Sequence, residues 1–196
     1  QTGVGFARAR AATQALIDAH SPPWVLSVGF SGALKPEMKN GDIVVATSVC
    51  DLHGQELQND VHFPEDPEHG LYVGRIINTD EIVRTVDEKL NLAAQFDALA
   101  VDLESLAVAQ VCQAAQKGFM AIRAISDDCS VDLPPEIMSI LGETGAVRAG
   151  AALGAVFKRP ESIKEMWKMR GDASRAATRL ASFLDGVVVQ LYEARH

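Results

Sequence analysis

Carboxylic acids follow two apolar segments in the middle of the chain. The first segment ends in Asp102 and continues to Glu104, and the second ends in Ser126 and Asp127. Both segments have the length and composition of buried strands. Acids in such positions are either groups of a binding or catalytic site or caps, because carboxylates are favoured at the N-cap and in the first turn of a helix. The elements around these acids decide between the two roles.

Helices and apolar strands alternate over the first two-thirds of the chain. Helices are predicted over 6–19, about 80–94 and 104–117, strands over 24–29, 41–50, 71–77, 98–102 and 119–126, and a polar loop over 51–70. Apolar strands separated by helices indicate a three-layer αβα fold, with a mostly parallel twisted sheet covered by helices. Ligands bind at the carboxyl ends of such strands. We therefore expect Asp102, Glu104, Ser126 and Asp127 to lie on one rim of the sheet.

The chain after residue 130 is predicted to be helical. Gly171, and a proline before it, are expected to divide it into a helical, lid-like insertion over 131–172 and a C-terminal packing helix over 173–193. The final helix carries an apolar stripe with the period of a helix that packs on a core. Residues 157–179 combine basic and apolar side chains. That pattern is typical of a solvated helix face, and the alternative is a peripheral membrane contact.

Composition excludes several kinds of partner. The 196 residues suit a single domain, 1–196. A formal net charge of −8 argues against nucleic acid, and no apolar run is long enough to span a membrane. Three cysteines without a CxxC pair and five scattered histidines give no metal-site pattern, so no metal or other cofactor is expected. Unpaired cysteines are typical of a cytoplasmic protein.

Two glycine-rich segments, 2–9 and 27–42, precede the acids, and glycine lets backbone N–H groups approach an anion or a ribosyl oxygen. The first is a poor match to the dinucleotide-binding fingerprint. Five segments, in order, resemble the nucleoside phosphorylase and nucleosidase family, which includes purine and uridine phosphorylases. They are TGVGFARAR, SVGFSGALKPEMKNGDIVVA, NTDEIV, AVDLESLAVAQVC and IRAISDD. The resemblance implies a nucleoside phosphorylase-like fold whose N-terminal strands are missing from this chain.

The resemblance also implies a site for a purine nucleoside. Glu104 would accept hydrogen bonds from the ribose hydroxyls, since a carboxylate is a good acceptor for a vicinal diol. Asp127 would be the general acid that protonates purine N7 or holds it by a hydrogen bond. The other implied substrate-binding residues are Leu103 under the sugar, Ser126 beside the acid, Ile82 and Val83 along the base, and Phe30, Ser31 and Gly32 in the glycine-rich turn.

The implied reaction is cleavage of the N-glycosidic bond of an adenine-type nucleoside. We favour hydrolysis over phosphorolysis, because Phe30 stands where nucleosidases commonly have serine and offers less to phosphate. Phosphorolysis is one alternative. A non-catalytic nucleoside-binding protein is another, because the strands that supply the nucleophile site in the family would precede the first matching segment.

One branch of the family resembles the chain in more detail. The hopanoid-biosynthesis phosphorylase-like proteins share the compact spacing of residues 78–105 and a basic helical tail. Membership of that branch would imply a lipid-linked nucleoside as substrate. The family as a whole implies water or phosphate as co-substrate and a homodimer in which a neighbouring subunit completes the site.

Overall fold

The computed structural model describes residues 5–59, 63–133 and 162–193, with side chains over 174–190 in the last range. Most of the predicted lid-like insertion, 131–172, lies outside the described residues. In the basic segment, 157–179, side chains are described only from residue 174 onward. None of the helices in the described ranges is long and apolar enough to cross a membrane.

The described residues form a mixture of helices and strands whose order matches the prediction, with bounds that differ by up to six residues. The strands are β1 (Trp24–Ala33), β2 (Ile43–Cys50), β3 (Glu56–Gln58), β4 (Leu71–Asn78), β5 (Ala100–Asp102) and β6 (Gly118–Asp127). The helices are α1 (Phe6–His20), α2 (Val86–Phe96), α3 (Ser105–Ala114) and α4 (Ser162–Glu193), and Pro67–His69 is a short 3-10 turn. The predicted polar loop over 51–70 thus contains one short strand, β3.

The strands form one twisted sheet that closes on itself. Their order is β3-β2-β4-β5-β1-β6, and β6 also pairs with β2. The two longest ladders, β1–β6 and β2–β4, are parallel, as is β4–β5. The β1–β5, β2–β3 and β2–β6 ladders are antiparallel. A mostly parallel α/β sheet was predicted and is present, and its closure through β2 and β6 is a feature that the sequence pattern did not predict.

The helices cover different parts of this sheet. Residues of α1 and α3 form a buried cluster with Val25 of β1. In α4, Ala176, Leu180 and Val187 pack against Ile122 and its neighbours on β6 and β2. The partly buried residues of α2 pack on a third cluster that includes β4 and β5. Apolar area removed from water by this packing is the main stabilising contribution in such a fold.

The predicted helix break at Gly171 is wrong. α4 runs without interruption from Ser162 to Glu193. A glycine inside a helix costs about 1 kcal/mol relative to alanine, which good helix formers on both sides can offset. The predicted boundary between 172 and 173 therefore falls inside α4.

Candidate functional site

β1 brings the ends of β5 and β6 together. Gly32 of β1 pairs with Val101 on β5 and with Asp127 on β6. The β1–β6 register shifts between Ser31 and Gly32, so that Ser126 is the extra residue of a bulge and Asp127 lies opposite Gly32. A β carbon at Gly32 would lie 3.0 Å from Asp127 Oδ2. The Asp127 carboxylate therefore lies directly against the glycine-rich part of β1.

The sequence predicted a common rim of parallel strands for these acids, but β5 is antiparallel to β1. β5 runs antiparallel to β1 whereas β6 runs parallel to it, so β5 and β6 run in opposite directions. The chain leaves β5 at Asp102 and enters α3 at Ser105, which puts Glu104 immediately before that helix. Glu104 and Asp127 thus leave their strands in opposite directions, on the two sides of β1.

Both oxygens of the Asp127 carboxylate accept a hydrogen bond from the protein. Oδ2 accepts from the Lys89 ammonium at 2.6 Å, and Oδ1 accepts from the Ser126 hydroxyl at 2.8 Å. The Lys89 side chain is fully buried, whereas the Asp127 side chain is 19% exposed. Each carboxyl oxygen has two lone pairs, so one beyond these two hydrogen bonds can accept a further donor or carry a proton that is donated to a ligand. Asp127 can therefore contact a ligand while Lys89 and Ser126 hold it in place.

Lys89 was not among the residues predicted from the sequence, although a signal for it was present. Lys89, Leu92, Ala93 and Phe96 lie at positions i, i+3, i+4 and i+7 of α2, on one helix face. The three apolar residues pack against the core cluster under α2. A lysine within such a stripe predicts a buried ammonium, which needs a partner of opposite charge.

Asp102 forms a buried ion pair with Arg123 of β6. Asp102 Oδ2 accepts from Arg123 Nε at 2.7 Å and lies 2.6 Å from Nη2, and both side chains are at most 3% exposed. Asp102 also accepts hydrogen bonds from the backbone N–H and the hydroxyl of Ser105. The guanidinium donates to the carbonyl and the hydroxyl of Ser27 on β1. This network fixes the start of α3, directly after Glu104.

Glu104 is the N-cap residue of α3, and its half-buried side chain reaches the start of α1. Its Oε1 accepts a 2.7 Å hydrogen bond from the backbone N–H of Gly5, the residue before α1. Gly5 has a φ of 108°, in the region that favours glycine. Burial raises the pKa of Glu104 above its usual value, the Gly5 N–H opposes the rise, and the Asp102 carboxylate adds to it.

The other predicted site residues fall into separate groups. Phe30, Ser31 and Gly32 lie on β1, and the Ser126 hydroxyl lies 3.3 Å from the Ser31 carbonyl oxygen. Phe30 is 45% exposed, whereas Ser31 is buried and its hydroxyl has no partner among the described residues. Leu103 and Glu104 form a second group on the connection between β5 and α3.

Ile82 and Val83 lie on the connection between β4 and α2, and both are half-buried. Val83 packs against the cluster that contains Val101. A β carbon at Gly32 would lie 3.3 Å from Val101 Cγ1. Val101 thus belongs both to the cluster on which Val83 packs and to the surroundings of Gly32.

The sequence that contains this site matches one protein family. Residues 1–71 and 68–156 match the profile of the phosphorylase superfamily, which is more than half of the chain. The chain belongs to the phosphorylase superfamily. The predicted resemblance and the nucleoside phosphorylase-like α/β fold are confirmed, and so is the predicted enzyme class, an N-glycosyl hydrolase or a nucleoside phosphorylase.

Similar proteins in the superfamily are 5′-methylthioadenosine/S-adenosylhomocysteine nucleosidases. The one from Staphylococcus haemolyticus is 27% identical, over 73% of this chain and 73% of that protein. The solved structure of the Colwellia psychrerythraea nucleosidase in complex with adenine is 27% identical with a TM-score of 0.53, over 65% of this chain and 64% of that one. The Helicobacter pylori nucleosidase with butyl-thio-DADMe-Immucillin-A has a TM-score of 0.60 and 21% identity, over 94% and 78% of the two chains, and shows the fold.

The raised pKa of Glu104 gives this superfamily member a pH-dependent stability. A carboxyl whose folded pKa lies above its unfolded value costs stability once the pH rises through the folded pKa, and costs nothing where both states are protonated. Glu104→Gln should therefore raise Tm at pH 7.5, by about 1–3 °C, and leave it unchanged near pH 3. Differential scanning calorimetry at the two pH values measures this difference.

Glu88→Gln is a control for which the opposite change in Tm is expected. Hydrogen bonds from the Thr85 backbone and side chain lower the pKa of Glu88, so its ionised form is the stabilising one. Its replacement should lower Tm at pH 7.5. A lower Tm at pH 7.5 for Glu104→Gln as well would contradict the assignment of a desolvated carboxylate at Glu104.

Proposed function

We propose that the chain hydrolyses the N-glycosidic bond of an adenine-type nucleoside. The observation that carries the proposal is the position of Asp127, held by Lys89 and Ser126 against Gly32 with one side still exposed. Glu104 supplies a second carboxylate, fixed at the start of α3. The relatives named as nucleosidases of adenine-containing nucleosides support the same reaction.

In the proposed reaction Asp127 acts on the purine and Glu104 acts on the sugar. Asp127 acts from its protonated form in the substrate complex. The bond from C1′ to N9 breaks, its electron pair passes to the purine, and Asp127 gives its proton to N7, so that adenine leaves as a neutral base and Asp127 is left as the carboxylate that pairs with Lys89. Water forms the new bond to C1′ and releases a proton to solvent, which restores the Asp127 proton. Glu104 accepts hydrogen bonds from the ribose hydroxyls and positions the sugar. Acid catalysis at the leaving group typically increases the reaction rate by about 10²–10⁴-fold.

Water is the proposed acceptor. Phe30 places an apolar, 45% exposed side chain in the glycine-rich turn, where it offers no hydrogen bond to phosphate. The similar proteins from Staphylococcus haemolyticus and Colwellia psychrerythraea, which are nucleosidases, favour the same choice. Phosphorolysis, with ribose 1-phosphate as product, and nucleoside binding without turnover are the alternatives.

The 5′ substituent is proposed to be apolar, and lipid-linked as in the hopanoid-biosynthesis branch. Val28 and Phe30 are 40% and 45% exposed and lie on the same face of β1 as Gly32, because side chains alternate along a strand. An apolar substituent would cover this face. We also propose that the protein is a homodimer, which the family resemblance supports. We propose a cytoplasmic location for it, which the three free, buried cysteines support.

Product analysis tests the proposed reaction. The protein is incubated with adenosine or 5′-methylthioadenosine, with and without inorganic phosphate, and free adenine and the sugar product are followed by chromatography. We expect equal release of adenine in both conditions, with ribose as the second product from adenosine and 5-methylthioribose from 5′-methylthioadenosine. Ribose 1-phosphate that forms only with phosphate would show phosphorolysis, and saturable binding without adenine would favour the binding protein.

A further inference from the structure

Lys89 is a buried cation at the predicted acid. It lies in the first turns of α2, its side chain is fully buried, and its ammonium donates to Asp127 Oδ2 at 2.6 Å and to the Asp128 carbonyl at 2.7 Å. Burying an ammonium without acceptors is very costly. These two acceptors therefore account for a lysine at this position, and both belong to the end of β6.

The start of α2 holds the segment after β6 at two further points. The backbone N–H of Val86 donates to Asp132 Oδ1 at 2.8 Å, and the backbone N–H of Leu133 donates to the Arg84 carbonyl at 2.8 Å. α2 itself begins with a capping box between Thr85 and Glu88, which satisfies its first N–H groups. A well-defined helix end thus fixes the backbone on the C-terminal side of Asp127.

The carboxylate of Asp127 is fixed in orientation as well as in position. Lys89 holds Oδ2 and the Ser126 hydroxyl holds Oδ1, so that rotation of the carboxylate would break both hydrogen bonds. The Gly32 backbone closes one side, because a β carbon there would be 3.0 Å from Oδ2. Fixed donors beside a group whose charge changes during a reaction are what electrostatic preorganisation requires.

We propose that Lys89 is a positioning residue for Asp127, which keeps the carboxyl aimed at the purine and stabilises the carboxylate that remains when its proton passes to N7. This inference rests on the proposed function. An ammonium at hydrogen-bond distance attracts a carboxylate much more strongly than a neutral carboxyl. Lys89 therefore favours the transfer of a proton from Asp127 to N7. The transferred proton is that of Asp127, and Lys89 keeps its own. Lys89 acts at the departure of the base and has no part in binding the sugar.

Lys89→Met tests this role, because methionine has a similar length and no charge. On adenosine we expect kcat to fall by about 10- to 100-fold, the usual value of a hydrogen bond to a charged group, with KM changed by less than about threefold. On 4-nitrophenyl β-D-ribofuranoside, whose leaving group needs no protonation, kcat/KM should stay within about threefold of the wild type. Lys117→Met is the matched control, since its ammonium donates to the Ser21 hydroxyl on the surface. It should behave like the wild type on both substrates.

A double variant keeps the test decisive where Lys89→Met folds poorly. Lys89→Met with Asp127→Asn removes both charges of the pair, and we expect its kcat on adenosine to equal that of Asp127→Asn alone. A further loss in the double variant would show that Lys89 acts independently of Asp127 and would overturn the proposal. Equal losses of kcat on the two substrates in Lys89→Met, or no loss on adenosine, would also overturn it.

A wild-type protein that cleaves neither substrate would refute the proposed function and this inference together, whereas an active wild type with an unaffected variant refutes only the role of Lys89.

Discussion

Asp127→Asn is expected to lower kcat on purine nucleosides by about 10²–10⁴-fold, the usual contribution of a general acid. Asparagine has nearly the same shape and still offers an oxygen to Lys89, but it has no acidic proton for purine N7. KM should change little, because the ribose contacts are assigned to Glu104 on the other side of β1. Steady-state kinetics of adenine release measure both constants.

Asp127→Asn also leaves the buried Lys89 ammonium without its opposite charge, so its stability will fall. The kinetics therefore belong well below the Tm of the variant, with circular dichroism confirming the fold. Ser126→Ala is the matched control. It removes the 2.8 Å hydrogen bond to Asp127 Oδ1 but leaves the acid in place, and should lower kcat by at most about 10-fold. A wild-type kcat in Asp127→Asn would refute the acid role, and losses of equal size in the two variants would reduce Asp127 to a structural group.

The local elements could be predicted from the sequence because their signals are local. The continuous apolar runs of β2 and β6 and the helix formers of α1 are visible in short windows of residues. The closure of the sheet was not predictable in this way. Ile43–Val45 pair with Ile122–Ala124 across almost 80 positions of sequence, and no short window encodes such a partner. β3, with three residues and one half-buried side chain, is too short to give a period.

The residue types of the candidate site were predicted from the family resemblance, whereas its geometry depends on strand pairing. The resemblance singled out Glu104 and Asp127, and the burial of Asp102 with Arg123 agrees with leaving Asp102 out of the chemistry. An arginine in the middle of an apolar strand was a signal for a buried acid. The antiparallel course of β5, which places Glu104 and Asp127 on two sides of β1, depends on strand pairing and lay beyond the sequence pattern.

Asp102→Asn is expected to lower the free energy of unfolding by about 3 kcal/mol. Breaking a buried ion pair by removing one partner typically costs about 3–5 kcal/mol, and the lower end applies because asparagine keeps one acceptor for Arg123. Arg123 is 2% exposed, so water cannot replace the lost charge. Urea unfolding followed by circular dichroism measures the change.

Asp97→Asn provides the comparison at the surface. Asp97 pairs with Lys35 at 3.0 Å, but its side chain is 89% exposed, and such pairs contribute at most about 1 kcal/mol. Similar losses in the two variants would contradict a dominant role for the buried pair.

Asp102→Asn also connects the stability of the fold to substrate binding. Asp102 accepts from the Ser105 backbone at the start of α3, one residue after Glu104, so its loss should loosen the Glu104–Gly5 contact and raise KM for nucleosides. Since Asp127 lies on the other side of β1, kcat should fall far less than in Asp127→Asn. A variant that loses stability with an unchanged KM would show that α3 holds Glu104 without help from Asp102. A rise in KM would assign the buried ion pair a part in sugar recognition through the N-cap that it supports.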